Sequence, residues 1–283
     1  MPFCWIDMAL TRWVPKNKRP KEPWTLSSQM FVDMGTALHA SVQAFLGLQG
    51  TLWGSWECKL CGRVWWNCKS PGLCCGRPAA YIEYSLVHPD KRIGEFGHKD
   101  GILIMPQHRG CGTLEVKTTG ESLAGKRKKE GPPDQHHRQA SCYNQMARKG
   151  YMKAIRRAEP TKEYPKGEIL EVRPAVLPAK MVNRIAYVYI RRNSPRPQYW
   201  IPIVKKAMKG VLQEIEADVP YFTKSIRAGK ANRLPEFPCK EHSDTFDDYG
   251  NRCIWAPICL SPQAGKQLKV YARRYRQRRK GNK

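Results

Sequence analysis

Apolar positions recur every three or four residues over 28–48, and this spacing predicts one long helix that ends near Gly47 or Gly50. His39 lies in the middle of this helix. A lone histidine on an apolar helix face is more often a core residue than a metal ligand. Its role therefore depends on the chemistry that the rest of the chain brings to it.

Apolar runs of strand length follow the helix. They predict three neighbouring antiparallel strands, then a helix, two further strands and a closing amphipathic helix. In this order the segments are 80–87, 99–105, 112–118, 137–149, 184–192, 199–204 and 205–226. Together they predict an α/β fold, with a central mixed β-sheet flanked by helices, in a single domain over 1–283.

Two basic segments lack such a pattern. Residues 120–136 are rich in Gly, Pro and charge, which predicts a mobile basic loop. Residues 269–283 form a basic tail that could contact phosphate, although disorder is the favoured interpretation.

The charge of the chain narrows the choice of partner. Lys and Arg number 50 against 24 Asp and Glu, so the formal net charge is +26. This balance predicts nucleic acid as the partner, although ribosomal and membrane-surface proteins share it. No run approaches the ~18 apolar residues of a membrane span, and no secretory signal opens the chain. We therefore expect a cytoplasmic protein without membrane contact.

Carboxylates are scarce, so their placement is informative. Asp100 closes a GHKDG turn, and Glu115 lies two residues before Lys117 in the next predicted strand. Residues i and i+2 of a strand share one face, so strand pairing could bring two metal ligands and a cation around a phosphate. An exposed Glu and Lys pair on a strand is the alternative reading. Glu83 is a further acidic candidate at the edge of this site.

Four motifs in order carry a resemblance to a known family: GTALH at 35–39, GHKDGILI at 97–104, LEVKTT at 114–119 and QASCY at 139–143. The chain resembles the RecB-like branch of the PD-(D/E)XK nucleases, which includes the CRISPR-associated exonucleases. This resemblance covers most of the chain. It implies a nuclease fold and a bacterial or phage protein that acts on DNA in recombination, repair or phage DNA metabolism.

The resemblance also assigns roles to single residues. His39, Asp100, Glu115 and the backbone carbonyl of Val116 would hold Mg²⁺ or Mn²⁺, and Lys117 would activate the attacking water. Gln139 and Tyr143, one helical turn apart, would hold the DNA strand near the cleaved bond, although ordinary helix packing explains this pair equally well.

The implied function is metal-dependent hydrolysis of DNA phosphodiester bonds, as an exonuclease on single strands or duplex ends. The DNA would be bound mainly through its phosphates. Two alternatives stay open. One is a structure-specific DNA endonuclease, and the other is a non-catalytic, zinc-containing DNA-binding protein.

Five cysteines fall within eighteen residues and predict an inserted zinc module over 55–78. Cys58 and Cys61 form a Cys-x-x-Cys-Gly knuckle, which is typical of zinc sites. The other half is less regular. Cys75, which also precedes a glycine, and Cys68 are expected to complete the four thiolates, with Cys74 as the alternative to Cys68.

A second cysteine group lies over 239–259. The resemblance implies that its three cysteines close with one at the other end of the chain around a [4Fe-4S] cluster, because many RecB-like nucleases use one early and three late cysteines. The gap between the first two late cysteines is wider than in the family, and zinc with the same ligands remains the alternative. The residues concerned are Cys4, Cys239, Cys253 and Cys259.

Overall fold

The computed structural model of the protein describes residues 10, 12–15, 17, 26–90, 93, 95–158, 161, 167–191, 200–230 and 264–281. The chain forms two compact units. The central unit is Val32–Leu212, and the terminal unit combines Met1–Phe31 with Gln213–Lys283. A single domain over 1–283 was expected, whereas the two ends of the chain form a unit of their own.

All of the described strands lie in the central unit. Its described strands are β1 (Leu52–Glu57), β2 (Val64–Lys69), β3 (Leu73–Cys74), β4 (Arg77–Pro78), β5 (Ala80–Ile82), β6 (Tyr84–Val87), β7 (Glu95–Lys99), β8 (Gly101–Met105), β9 (Gly110–Thr119), β10 (Met152–Arg157), β11 (Ile169–Pro174), β12 (Met181–Arg191) and β13 (Trp200–Lys206).

These strands form two sheets and a small ladder. The large sheet has seven strands in the order β13-β12-β9-β8-β1-β2, with β5 also paired to β1. Its neighbours are antiparallel except for β12, which runs parallel to β9, so the predicted mixed sheet is confirmed. The small sheet has the order β11-β10-β6-β7, and β3 pairs with β4.

At two of the points where the chain passes between the two sheets, a single residue makes the connection, and that residue is a carboxylate. Glu83 is the single residue between β5 of the large sheet and β6 of the small sheet. Asp100 is the single residue between β7 of the small sheet and β8 of the large sheet. The unbroken strand predicted over 80–87 is therefore wrong. In a continuous strand, side chains alternate between the two faces of the sheet. The break at Glu83 means that this alternation does not fix the direction of its side chain.

The described helices are α1 (Leu26–Leu48), α2 (Glu121–Glu130), α3 (Asp134–Arg148), α4 (Val211–Arg227) and α5 (Ala264–Gly281). None of them is long and apolar enough to cross a membrane.

Helix α1 packs its apolar stripe against the large sheet. Val42 joins a core cluster with Trp56, and Leu38 and Leu46 pack against that cluster. Gly47 allows the close approach, because a Cβ there would lie 2.5 Å from the Trp56 ring. The helix predicted over 28–48 is thereby confirmed, and its packing fixes which of its faces meets the sheet.

The mobile loop predicted over 120–136 is wrong, because α2 occupies 121–130. This helix packs against β12 and β13. Arg127 is buried, Lys126 pairs with Glu130 at 3.8 Å, and Gly131 ends the helix with φ of 84°. A mostly polar helix of this kind is stabilised by packing and ion pairs, which a search for apolar periodicity does not detect.

The terminal unit contains α5 and most of α4. Trp13 is fully buried, and its Nε1 donates a hydrogen bond to the Ile226 carbonyl over 2.9 Å. Leu268 and Ala272, four residues apart on α5, are also buried. This short apolar stripe explains why the basic tail over 269–283, for which disorder was favoured, is helical as far as Gly281.

Candidate active site

Three potential metal ligands converge from three different elements. They are His39 of α1, Glu83 between β5 and β6, and Asp100 between β7 and β8, and one ligand atom from each lies within 4.8 Å of the others. His39 Nδ1 is 4.0 Å from Asp100 Oδ1. Two ligands of one Mg²⁺ ion lie at most about 4.2 Å apart, since each is ~2.1 Å from the ion. Side-chain movements below about 1 Å would bring all three within reach of one ion.

Gln43 holds two of these positions in place. It lies one helical turn after His39 on α1, and only 6% of it is exposed. Its Nε2 donates hydrogen bonds to Glu83 Oε1 over 3.2 Å and to the Asp100 carbonyl over 2.9 Å. Gln43 was not singled out from the sequence. The available signal was a polar residue at i+4 from the helix histidine, on the same face.

Asp100 is fixed by the strand that carries the other candidate residues. The Val116 N–H of β9 donates to Asp100 Oδ2 over 2.6 Å, while Oδ1 is the oxygen near His39. Burial raises the pKa of Asp100 well above its ordinary value, and the Glu115 charge adds to this effect. The Lys117 charge opposes it. A buried carboxyl with a raised pKa is a group that a bound cation would strongly favour in its ionised form.

His39 is held in its neutral form. Burial lowers its pKa, the Lys117 charge lowers it further, and a hydrogen bond with the Val116 backbone acts in the opposite direction. The neutral imidazole is the form that binds metal ions. The same contact places the Val116 backbone at the site, as the sequence prediction for its carbonyl requires.

Glu115 and Lys117 share one face of β9, as the i and i+2 spacing predicts. Lys117 Nζ lies 2.7 Å from Glu115 Oε1. Burial acts to lower the pKa of Lys117, but the charges of Glu115 and Asp100 outweigh it, so this pKa lies above its ordinary value and the lysine is charged.

Glu115 is not one of the three residues whose ligand atoms cluster within 4.8 Å, although its second oxygen is of the type that binds a cation. Glu115 is 2% exposed, and its Oε2 is buried without a hydrogen-bond partner in the described part of the chain. Burying such an atom is costly unless something binds it, and a cation is the natural partner for a carboxylate oxygen. The histidine, carboxylate and carbonyl donors are also the set that Mg²⁺ or Mn²⁺ prefers, so the residues fit such an ion.

Gln139 and Tyr143 of α3 lie near this cluster. Gln139 Nε2 donates to Tyr143 Oη over 3.0 Å. Burial raises the pKa of Tyr143 to about 12, with a further contribution from the Glu115 charge. A Cβ on Gly97 would lie 2.6 Å from Tyr143 Oη, so the absence of a side chain at this position of β7 makes room for the hydroxyl.

Two tyrosines of β12 lie beside the Glu115 and Lys117 positions of β9 and were not singled out from the sequence. In the parallel register Tyr187 is opposite Glu115, and Tyr189 is opposite Lys117. Tyr187 Oη lies 2.8 Å from His137 Nδ1 of α3. The YVYI alternation after a helix was the available signal, since neighbouring parallel strands present register partners on one face.

Four cysteines form a second potential metal site. Cys58, Cys61, Cys74 and Cys75 bring their sulfurs within 4.8 Å of one another, which is consistent with structural zinc. Cys61 Sγ and Cys74 Sγ are 3.7 Å apart. The knuckle between β1 and β2 is closed by the Gly62 N–H, which donates to the Cys58 carbonyl over 2.8 Å.

Cys74, the alternative ligand, takes the place expected for Cys68. Cys68 lies in β2 and packs against the core cluster around Trp56. The segment 55–78, which was predicted to be an inserted module, is continuous with the large sheet, because its strand β2 pairs with β1. The ligands predicted for a [4Fe-4S] cluster, Cys4, Cys239, Cys253 and Cys259, lie outside the described residues.

No family model, no curated protein and no solved structure matches the chain. The geometry of the site therefore carries the functional argument.

Proposed function

We propose that the protein is a divalent-metal-dependent deoxyribonuclease of the RecB-like PD-(D/E)XK type. The observation that carries this proposal is the convergence of His39 and Asp100 with the ion pair of Glu115 and Lys117, although the four residues come from three separate elements. A solvated surface pair on a strand would not bury Glu115 to 2% exposure next to a second carboxyl group.

The order of the elements supports the proposed fold. Helix α1 is followed by the antiparallel strands β1, β8 and β9, then by α3, then by β12 parallel to β9. This order places the helix histidine, the turn aspartate and the Glu-x-Lys strand side by side, as the RecB-like resemblance implies.

Each residue then has a task in phosphodiester hydrolysis. His39, Glu83, Asp100, Glu115 and the Val116 carbonyl would hold Mg²⁺ or Mn²⁺. When bound, the ion would lower the pKa of an attacking water and neutralise charge on the phosphate. Lys117 Nζ, fixed by Glu115, would orient that water and stabilise the negative charge that develops on the phosphoryl oxygens.

The Gln139 and Tyr143 pair would hold the substrate strand. Gln139 Nε2 donates to the phenol oxygen and positions the Tyr143 hydroxyl, which would contact a phosphate oxygen of the DNA. The net charge of +26 supports a phosphate-bound DNA partner, and we infer a cytoplasmic site of action. The cysteine cluster around Cys74 would bind structural zinc, and Cys4, Cys239, Cys253 and Cys259 would bind a [4Fe-4S] cluster.

Cleavage of matched DNA substrates with Mn²⁺ tests the proposal. End-labelled linear, nicked and closed circular DNA are compared at equal concentration. An exonuclease degrades the linear and nicked forms and leaves closed circles intact. Conversion of closed circles to linear or relaxed DNA would identify an endonuclease instead. DNA binding without cleavage at any concentration of Mg²⁺ or Mn²⁺ would leave the non-catalytic DNA-binding alternative.

A further inference from the structure

Helix α5 of the terminal unit is unusually basic. Its 18 residues contain no Asp or Glu. They contain eight cations: Lys266, Lys269, Arg273, Arg274, Arg276, Arg278, Arg279 and Lys280. Leu268 and Ala272 are the buried positions of this helix, and of its cations Arg278 also donates a hydrogen bond to the Trp13 carbonyl.

Four cations of the terminal unit line one cavity. The cavity has a volume of about 390 Å³, and its cationic lining residues are Lys230, Lys269, Arg273 and Arg276. The three from α5 follow the spacing i, i+4 and i+7, which places them on one face of the helix. Gly229, Val270 and Ala272 are the other described residues of the lining.

The cavity lies where α4 ends beside α5. Gly229 has φ of 65°, and its N–H donates to the Ile226 carbonyl over 3.0 Å. A Cβ on Gly229 would lie 2.8 Å from Arg276 Cγ, so the glycine allows the arginine stem to approach the end of α4. The backbone thus brings Lys230, the next residue, to the cationic face of α5.

These four cations have no carboxylate partner among the residues that the structure describes. Among the described residues, no acidic side chain lines the cavity. Like charges that converge on one cavity repel one another unless an anion occupies it. The arrangement is therefore suited to an anionic ligand.

The spacing of the cations favours a chain of phosphates over one small anion. With a rise of ~1.5 Å per residue, Lys269 and Arg276 are separated by about 10 Å along the helix axis, with Arg273 between them. Single-stranded nucleic acids bind in cationic grooves that follow their backbone. Arg274 and Arg278 line a second cavity on the other flank of α5, which extends the cationic surface.

We propose that the cavity lined by Lys230, Lys269, Arg273 and Arg276, called the groove below, binds the phosphate backbone of DNA. This would give the terminal unit a DNA-binding role of its own. This inference rests on the proposed function for the identity of the nucleic acid, but it concerns binding and not hydrolysis.

The test measures binding of a fluorescein-labelled single-stranded DNA to the full-length protein by fluorescence anisotropy. Mg²⁺ and Mn²⁺ are left out of the buffer, so metal-dependent cleavage does not alter the result. In the variant, Lys269, Arg273 and Arg276 are all changed to Gln. We expect its affinity for DNA to fall at least tenfold. The slope of log K against log salt should become shallower by about 2, since each lost phosphate contact on a single strand contributes ~0.7.

A matched control removes the same charge from the central unit. Lys153, Lys180 and Lys209 are exposed there, and the control changes all three to Gln. It should bind DNA with nearly the wild-type affinity and salt slope. Equal losses in both triple variants would show that net charge alone governs binding and would overturn the proposal. A folded groove variant that binds like the wild type would overturn it as well.

Two further arms identify the ligand and separate this inference from the proposed function. Tighter binding of RNA, or of vesicles rich in anionic lipid, that depends on the same three residues would overturn the assignment to DNA. Cleavage with Mn²⁺ is measured separately. Groove-dependent DNA binding without any cleavage would contradict only the nuclease function, whereas cleavage with unchanged binding by the groove variant would contradict only this inference.

Discussion

The change Gln43→Met should weaken binding of the proposed Mn²⁺ ion without removing any of its proposed ligands. Methionine has nearly the shape of glutamine but cannot donate a hydrogen bond. The change therefore deletes the bonds from Gln43 Nε2 to Glu83 Oε1 and to the Asp100 carbonyl. Both acceptors belong to the residues that converge with His39.

The expected magnitude follows from these two bonds. A hydrogen bond to a charged group contributes roughly 1.5–3 kcal/mol, and about 1.4 kcal/mol corresponds to a factor of ten in affinity. We therefore expect the Kd for Mn²⁺ to rise by about 10–100-fold, which is the range typical of residues that orient metal ligands. The buried Asp100 carbonyl would also lose a donor, at a cost of about 1–3 kcal/mol in the free energy of unfolding.

Calorimetric titration of the metal-free protein with MnCl₂, in the absence of DNA, measures this affinity. The control is Gln49→Met, because Gln49 is exposed just beyond the end of α1. The control should bind Mn²⁺ as the wild type does. A Gln43→Met protein that is less stable but binds Mn²⁺ within about twofold of wild type would refute the reasoning, because Gln43 would then act only in packing.

Three further changes test other parts of the account. Cys74→Ser should lower the zinc content well below one ion per chain by mass spectrometry, whereas Cys68→Ser should leave it unchanged; equal loss in both would contradict the assignment of Cys74. Tyr143→Phe should raise the KM for DNA by about 3–10-fold with kcat largely retained, because a single hydroxyl contact contributes about 0.5–1.5 kcal/mol; an unchanged KM argues against a substrate contact. Burial lowers the pKa of Lys99 to about 7, and its Nζ has no hydrogen-bond partner among the described residues. Lys99→Met should therefore stabilise the protein by about 1–3 kcal/mol below pH 7 in urea unfolding. The gain should shrink as the pH rises from 7 towards 10, because the folded lysine is already neutral there and the unfolded lysine loses its proton as well; a gain that does not depend on pH would sink the explanation.

The pairing of Glu115 with Lys117 on β9 was predictable because its geometry is local. Glu115 and Lys117 are two residues apart in one strand, so their shared face follows from the strand period alone. The predicted helix that carries His39 was also confirmed, since its apolar stripe is long and regular. The contact of His39 with Asp100 was not local, and the sequence offered it only through a family resemblance.

The role of Glu83 could not be predicted with the same certainty, because it depends on a break in a strand. Residues 80–87 have a continuous apolar pattern, which gives no sign that the chain leaves one sheet for the other at Glu83. Pairing partners decide that crossing: β5 pairs with β1, and β6 pairs with β7 and β10. The choice between Cys68 and Cys74 was likewise decided by strand geometry, since β2 directs Cys68 towards the core.

The central claim is tested most directly by comparing the metal-dependent DNA cleavage of the wild-type protein with that of two variants of the site. Wild-type protein, His39→Ala and Glu115→Gln are purified in parallel, shown by circular dichroism to be folded, and mixed with end-labelled linear DNA; the reaction is started by MnCl₂. We predict that the wild type degrades the DNA and that both variants lose activity by a factor of about 100 or more. Wild-type protein that leaves the DNA intact, or folded variants that cleave it at the wild-type rate, would contradict the assignment of this site as a nuclease centre.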